Sequence, residues 1–194
     1  MRLKQETMRE AILAAATEEF SRRGYLKATM SQIARRAGTA PSNIYVYYKS
    51  KLEIAVAVYE PWFKNQILVL ERSVGRKKST TLKIHCLVDG ILRRIPNDER
   101  GLTTTLVQAL ATARPTDVYS PQLLYWTEDK IAEIIQNAFS EVPKKATESS
   151  TAHILMLIFD AIALRRNLRP VISPNRATLK AITEMVLRKM EDRS

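Results

Sequence analysis

Residues 29–53, TMSQIARRAGTAPSNIYVYYKSKLE, read as two short helices joined by a tight turn and followed at once by the start of a third. Thr29 is placed to cap the first helix, and Gln32, three residues on, completes the capping-box pattern. Ile33, Ala34 and Ala37 give that helix an apolar side small enough for a close neighbour. Gly38 stands where a helix commonly ends, because glycine takes the left-handed conformation without a Cβ clash. Pro41 suits the first turn of a second helix, where its missing N–H removes no needed bond. Ile44 and Tyr48, four residues apart, mark one side of that helix, and Ser50 with Glu53 repeats the capping-box pattern at the start of the next. Two helices joined by a short glycine turn are the helix-turn-helix plan, whose second helix can lie in the major groove of DNA.

The wording is more specific than the plan. T-x-x-x-I-A-x-x-A-G from Thr29 to Gly38, then I-Y-x-Y-Y-K-S-K-x-E from Ile44 to Glu53, closely resembles the DNA-binding domain of the TetR (tetracycline repressor) family. The resemblance covers about the first third of the chain; the rest is similar to the family in length and helical character. Two positions depart from the family's usual wording: Thr39, where a valine is common, and Ala40, where a capping Ser or Thr is common. A missing cap costs about 1 kcal/mol.

Composition agrees with an all-α protein that binds a polyanion. The 194 residues contain eight prolines and five glycines, and are rich in Ala, Leu, Ile, Lys, Arg and Glu. Lys and Arg outnumber Asp and Glu by 31 to 20, a net charge of +11. Residues 1–54 hold ten Lys/Arg against five Asp/Glu, so the excess is denser at the front without forming a tail. Such charge neutralises phosphates and releases counterions, although it is also what a merely well-solvated surface looks like. Cys86 is the only cysteine, which excludes an intramolecular disulfide and fits a reducing compartment. No run of about 18 apolar residues exists to span a membrane, and Met1–Glu10 lacks the apolar segment of a signal peptide. A cytoplasmic location is expected.

Outside the central stretch, Lys4–Arg23 reads as an amphipathic helix stopped by Gly24, with Ile12, Ala16 and Phe20 recurring every four residues. The next helix, from Lys51, is expected either to kink at Pro61 or to end near Glu60 with a new one starting at Pro61, the second being favoured, since proline inside a helix costs about 3 kcal/mol. Helices follow over Leu82–Ile95, Leu102–Ala113, Pro121–Phe139, Thr151–Leu168 and Ala177–Met190, with breaks at Gly75–Thr80, Pro96–Asp98, Arg114–Pro121, Glu141–Lys145 and Asn167–Pro174. Thr151–Leu168 is apolar around much of its circumference, so it must be covered on most sides, by the bundle or by a second subunit. The family resemblance assigns the last two helices to a four-helix dimer interface, which falls here on Ile154, Leu155, Ile158, Ile162, Ile182 and Val186.

Catalytic constellations are thin. His85 and His153 are far apart, no zinc-type ligand spacing occurs, and Gly-rich phosphate loops and G-x-S-x-G are missing. His85 and Cys86 are adjacent, so they point about 100° apart on a helix, which favours packing over a reactive dyad. No enzyme activity and no cofactor or metal are expected. DNA contacts are better supported. Thr29, Ser31 and Gln32 sit at a helix start, where short polar side chains and the helix dipole approach phosphates. Pro41, Ser42, Asn43, Tyr45 and Tyr47 match the positions that face the groove in the family. Asn43 has the paired donor and acceptor that read adenine, and the two tyrosines offer hydroxyls for phosphates and rings for thymine methyls. Lys49 and Lys51 are expected to meet phosphates. Arg35 and Arg36 read as a solvated face. The resemblance also implies a small-molecule pocket in the larger part, for which Trp62, Phe63, His85, Asp89, Gln108, Trp126 and Asp160 are the polar or aromatic candidates on apolar helices.

The expectation is an all-α chain: a three-helix helix-turn-helix domain over residues 1–54 and a larger helical domain over 55–194 for effector binding and dimerisation. It is expected to be a ligand-responsive repressor that holds a pseudo-palindromic operator as a homodimer. The alternatives are a non-specific architectural DNA-binding protein, or a helical interaction module or enzyme.

Overall fold

The computed structural model describes residues 2–114, 117, 120–139, 146–168 and 174–191, with side chains for 5–114, 117, 120–139, 149–166 and 174–190. The expected break at Glu141–Lys145, the middle of the last loop and the side chains of Arg2 and Lys4 lie outside them. Among the described residues all regular structure is helical. The helices are α1 (Arg2–Lys27), α2 (Met30–Arg36), α3 (Pro41–Tyr47), α4 (Lys51–Gly75), α5 (Thr80–Asp89), α6 (Leu102–Ala111), α7 (Gln122–Ala138), α8 (Ala146–Leu168) and α9 (Arg176–Glu191). A π-helical turn, Gly90–Arg94, continues α5.

The chain forms two compact units. The first comprises Met1–Trp62 and Glu99–Ser120. Its core is made by the stripe Ile12, Ala16 and Phe20 of α1 against Ile33 and Ala34 of α2, Ile44 of α3, and Leu52 and Ala55 of α4, all buried. Small residues at positions 16, 34 and 55 let these helices approach closely. The expected stop at Gly24 is seen as φ 72°, ψ 162° within α1, after which the backbone resumes helical form to Lys27. Ala109 of α6 is fully buried in the same core, so α6 belongs with the helix-turn-helix although some fifty residues separate them in sequence. A division at residue 54 does not coincide with these units.

The second unit comprises Phe63–Asp98 and Pro121–Ser194. Here α7 packs on α8, α5 packs on α9 and α7, and the π-helical turn touches α8. Phe63 and Phe159 meet with ring centroids 5.6 Å apart. Gly90 is buried where a Cβ would overlap the terminal carbons of buried Leu70, so this approach needs a glycine. The π-helical turn there ends with Ile95 N–H donating to Gly90 C=O at 2.9 Å. On α7 the inner side is Leu123, Thr127, Ile131, Ile134, Ile135 and Ala138, so Leu123 rather than Leu124 faces the core.

One expectation is corrected. No new helix begins at Pro61; α4 runs through it from Lys51 to Gly75. Tyr59, Phe63, Ile67, Leu70 and Val74 are all buried and form one stripe across the proline, while Pro61 itself lies on the exposed side. The continuous burial of that stripe outweighs the loss of one helical hydrogen bond.

Candidate nucleic-acid interface

The turn between α2 and α3 is fixed by local chemistry. Thr29 Oγ1 accepts from Gln32 N–H at 3.2 Å, and Gln32 Oε1 accepts from Thr29 N–H at 3.0 Å, closing the capping box. At the other end Gly38 has φ 69° and donates its N–H to Arg35 C=O, while Thr39 N–H reaches back to Ala34 C=O at 3.0 Å. These two bonds and the left-handed glycine are the Schellman arrangement. Ala40 then starts α3 in an extended conformation with no side-chain cap, and Pro41 occupies the first turn. Asn43 Nδ2 donates to Thr39 Oγ1 at 3.1 Å, which ties the two side chains together but satisfies none of the free N–H groups at the start of α3. Ser50 Oγ accepts from Glu53 N–H at 3.1 Å as expected of a capping box, but the Glu53 carboxylate accepts from Lys49 N–H at 2.5 Å.

The ten expected DNA-facing residues fall into three groups. Ser31, Pro41, Ser42, Asn43, Tyr45 and Lys49 are exposed. Lys49 donates its ammonium to Tyr45 C=O at 3.3 Å and so lies along the end of α3. Thr29 and Gln32 stand at the start of α2 with their oxygens committed to the capping box. Tyr47 and Lys51 are half-buried, Tyr47 packed against the core. Lys51 Nζ donates to the carbonyl oxygens of Tyr25 at 2.8 Å and Ala28 at 2.9 Å and lies 4.2 Å from the centroid of the Tyr25 ring. Desolvation lowers its pKa. Its main task is therefore to fasten the start of α4 to the end of α1, with one N–H left over for an outside partner.

Arg36 is exposed, as expected, but it is also ion-paired: Nε donates to Glu19 Oε1 at 2.7 Å, and Nη1 pairs with Glu18. Arg23 pairs with the other Glu19 oxygen at 2.9 Å. Glu19 is only 3% exposed, and its pKa is held below the ordinary carboxylate value, chiefly by the Arg36 hydrogen bond. This cluster clamps α2, and with it the turn, to α1. Arg35 is exposed. Sequence reading also passed over Val46, which α3 leaves 66% exposed.

The seven effector candidates divide between the two units. In the first, Trp62 stacks on Tyr59 with centroids 5.4 Å apart, and Gln108 lies on α6. In the second, Phe63 packs on Phe159, Trp126 lies under Lys64 at 5.3 Å, and His85 meets the buried Thr183 hydroxyl at 3.4 Å. Asp89 pairs with Arg93 at 2.6 Å and Arg94 at 3.1 Å, and Asp160 stands on the exposed side of α8. These pairings give most of them a packing role. None lines the groove of about 710 Å³ between α8 and α9, whose walls include Ile154, Leu157, Ile158, Ile162 and Ile182. Leu155 and Val186 point inward and border a smaller hollow beside Met185. Ile154, Leu157 and Met185 are 46%, 55% and 69% exposed, an apolar face that the described residues leave uncovered. Among the described residues no helix is long and apolar enough to cross a membrane, and no group of three or more His, Cys, Asp or Glu is placed to hold a metal ion.

Comparison with known proteins agrees with this geometry. Residues 12–58 match the family described as bacterial regulatory proteins, tetR family. The HTH-type transcriptional activator FasR of Mycolicibacterium smegmatis is 30% identical over 100 residues, covering 52% of this chain and 46% of FasR, about half of that relative's length. Among solved structures, Thermus thermophilus FadR, a TetR-family repressor in complex with lauroyl-CoA, has a TM-score of 0.69 at 19% identity, over 94% of this chain and 93% of its own. Bacillus subtilis FadR in complex with stearoyl-CoA has a TM-score of 0.61 at 19% identity, over 93% and 96%. At these identities the likeness is one of fold. Over residues 12–58 the chain is similar to the tetR family of bacterial regulatory proteins, and its helical architecture is shared along nearly its whole length with solved regulators of that fold.

Proposed function

We propose that the chain is a DNA-binding transcriptional regulator, a ligand-responsive repressor that works in the cytoplasm and holds a pseudo-palindromic operator as a homodimer. The observation that carries this reading is the exposed polar face of α3, bearing Ser42, Asn43 and Tyr45 on a helix held by the Schellman turn and the Glu19–Arg36 clamp. Residues 1–54 serve the DNA, and residues 55–194 serve the effector and the second copy. The second copy covers the apolar face of α8 and α9, joined through Ile154, Leu157, Ile158, Ile162 and Ile182. Leu155 and Val186 support that face from beneath. Two copies of α3 then enter successive major grooves about 34–36 Å apart.

An effector releases DNA only by binding more tightly to a dimer state in which that spacing differs. The first compounds to test are lauroyl-CoA and stearoyl-CoA, the molecules held by the two FadR relatives. Titration into the operator complex, with coenzyme A alone as control, is expected to dissociate it. Unchanged operator affinity across the acyl series would remove acyl-CoA as the effector class. The net charge of +11 favours a second reading, an architectural protein that binds DNA without regard to sequence. Competition with unrelated DNA separates the two, because a repressor's own site should win by about a thousandfold or more.

A further inference from the structure

We infer that Val46 is a specificity-determining residue that reads the C5-methyl group of one thymine in each half-site; this rests on the DNA-binding reading above. Val46 is two residues beyond Ile44, the fully buried anchor of α3. On a helix of about 3.6 residues per turn it therefore points about 200° away from that anchor. With Ser42, it lies on the side of α3 opposite that anchor, and it is 66% exposed. Ser42, one turn earlier, and Asn43, three residues earlier, flank it, and both are exposed polar residues. If α3 lies in the major groove with its core side facing the protein, Val46 and Ser42 are the side chains directed at the groove floor, and Val46 is the apolar one of the two.

An aliphatic tip there has little to gain from phosphates or from base donors and acceptors. The one apolar group that the major groove offers is the thymine methyl. Asn43, one turn back on the same face, has the geometry to pair with an adenine. Val46 and Asn43 together then select A·T pairs at neighbouring positions, one through hydrogen bonds and one through a methyl contact.

The test uses the full-length protein and an operator recovered by selection from random DNA. Each thymine is replaced in turn by uracil, which removes only the methyl, and affinities are compared for the wild type and Val46→Ala. Burial of one methyl is expected to appear as about fourfold weaker binding per half-site and about fifteenfold when both symmetric thymines are changed. Val46→Ala should bind the original operator about as weakly as the wild type binds the uracil operator, and should be indifferent to uracil at that position. Tyr45→Ala should keep the wild-type sensitivity there. The assignment is overturned if no thymine responds to loss of its methyl, or if Val46→Ala remains as sensitive as the wild type. Failure to recover any bound DNA would overturn the DNA-binding reading itself, an outcome distinct from either of these.

Discussion

Gly38 shows how one residue sets the turn into α3. At φ 69° it needs no Cβ clash relieved, and nothing lies within 4 Å of where a Cβ would stand. Gly38→Ala should therefore lose stability through backbone strain alone, by about 1 kcal/mol. Gly75→Ala, at the end of α4 with equally open space and no such φ, should leave the denaturation midpoint unchanged or slightly raised. Lys51 is the second case. Removing its ammonium in Lys51→Met leaves the Tyr25 and Ala28 carbonyls without that donor, and unfolding measurements should register a loss of about 1–3 kcal/mol. A Lys51 that served only phosphates would leave stability untouched and weaken DNA alone. Asn43→Ala should weaken the specific site by about tenfold or more while binding unrelated DNA as before. The sequence made Gly38, Pro41 and the capping box readable because their effects are confined to a few neighbouring residues. Lys51 was readable only as a charge, since its partners lie more than twenty residues away.

At the scale of helices, α3 is weakly started and α2 firmly held. Ala40 has the extended backbone of a cap position without a side chain to fill it, so Ala40→Ser should raise stability by about 0.5–1 kcal/mol in thermal or denaturant unfolding. The clamp on α2 gives a pH dependence. Glu19's pKa is lowered in the folded chain, by the Arg36 hydrogen bond first and then by the charges of Arg36 and Arg23, against burial. A carboxyl with a depressed folded pKa contributes stability that is present above its unfolded value, near the ordinary 4.5, and is lost as pH falls through the folded value. Melting temperature followed downward from neutral pH should fall through this acid range, and Glu19→Gln should flatten that limb while lowering stability at neutral pH. The pair was not legible in the sequence, because Glu19 and Arg36 are 17 residues apart and on different helices. Pro61 was misread for the converse reason. A local rule about proline gave way to an apolar stripe that runs the length of α4.

At the scale of the molecule, the proposed assembly rests on an apolar face of α8 and α9 that the described residues do not cover. The apolar excess of α8 was visible in sequence as residues spread around the helix; its inward share is Leu155, Met156 and Phe159, and its outward share is Ile154 and Leu157. Leu157→Glu places a charge on the exposed half, so helical content should persist while sedimentation shifts from dimer to monomer and operator binding weakens. The expected effector-binding residues were the least legible part. Asp89 and His85 were candidates in the sequence, and their partners here are Arg93, Arg94 and Thr183. Choosing ligand-facing residues from helix composition alone cannot distinguish such internal pairing from an open wall. The central claim, that two copies of α3 read a symmetric site, is tested most directly by selecting bound DNA from a random pool while measuring the mass of the protein and its complex in solution. The expected result is a dimer on a palindromic consensus with half-site centres about one helical turn apart. A monomer that enriches no sequence, or a dimer whose consensus lacks symmetry, would contradict it.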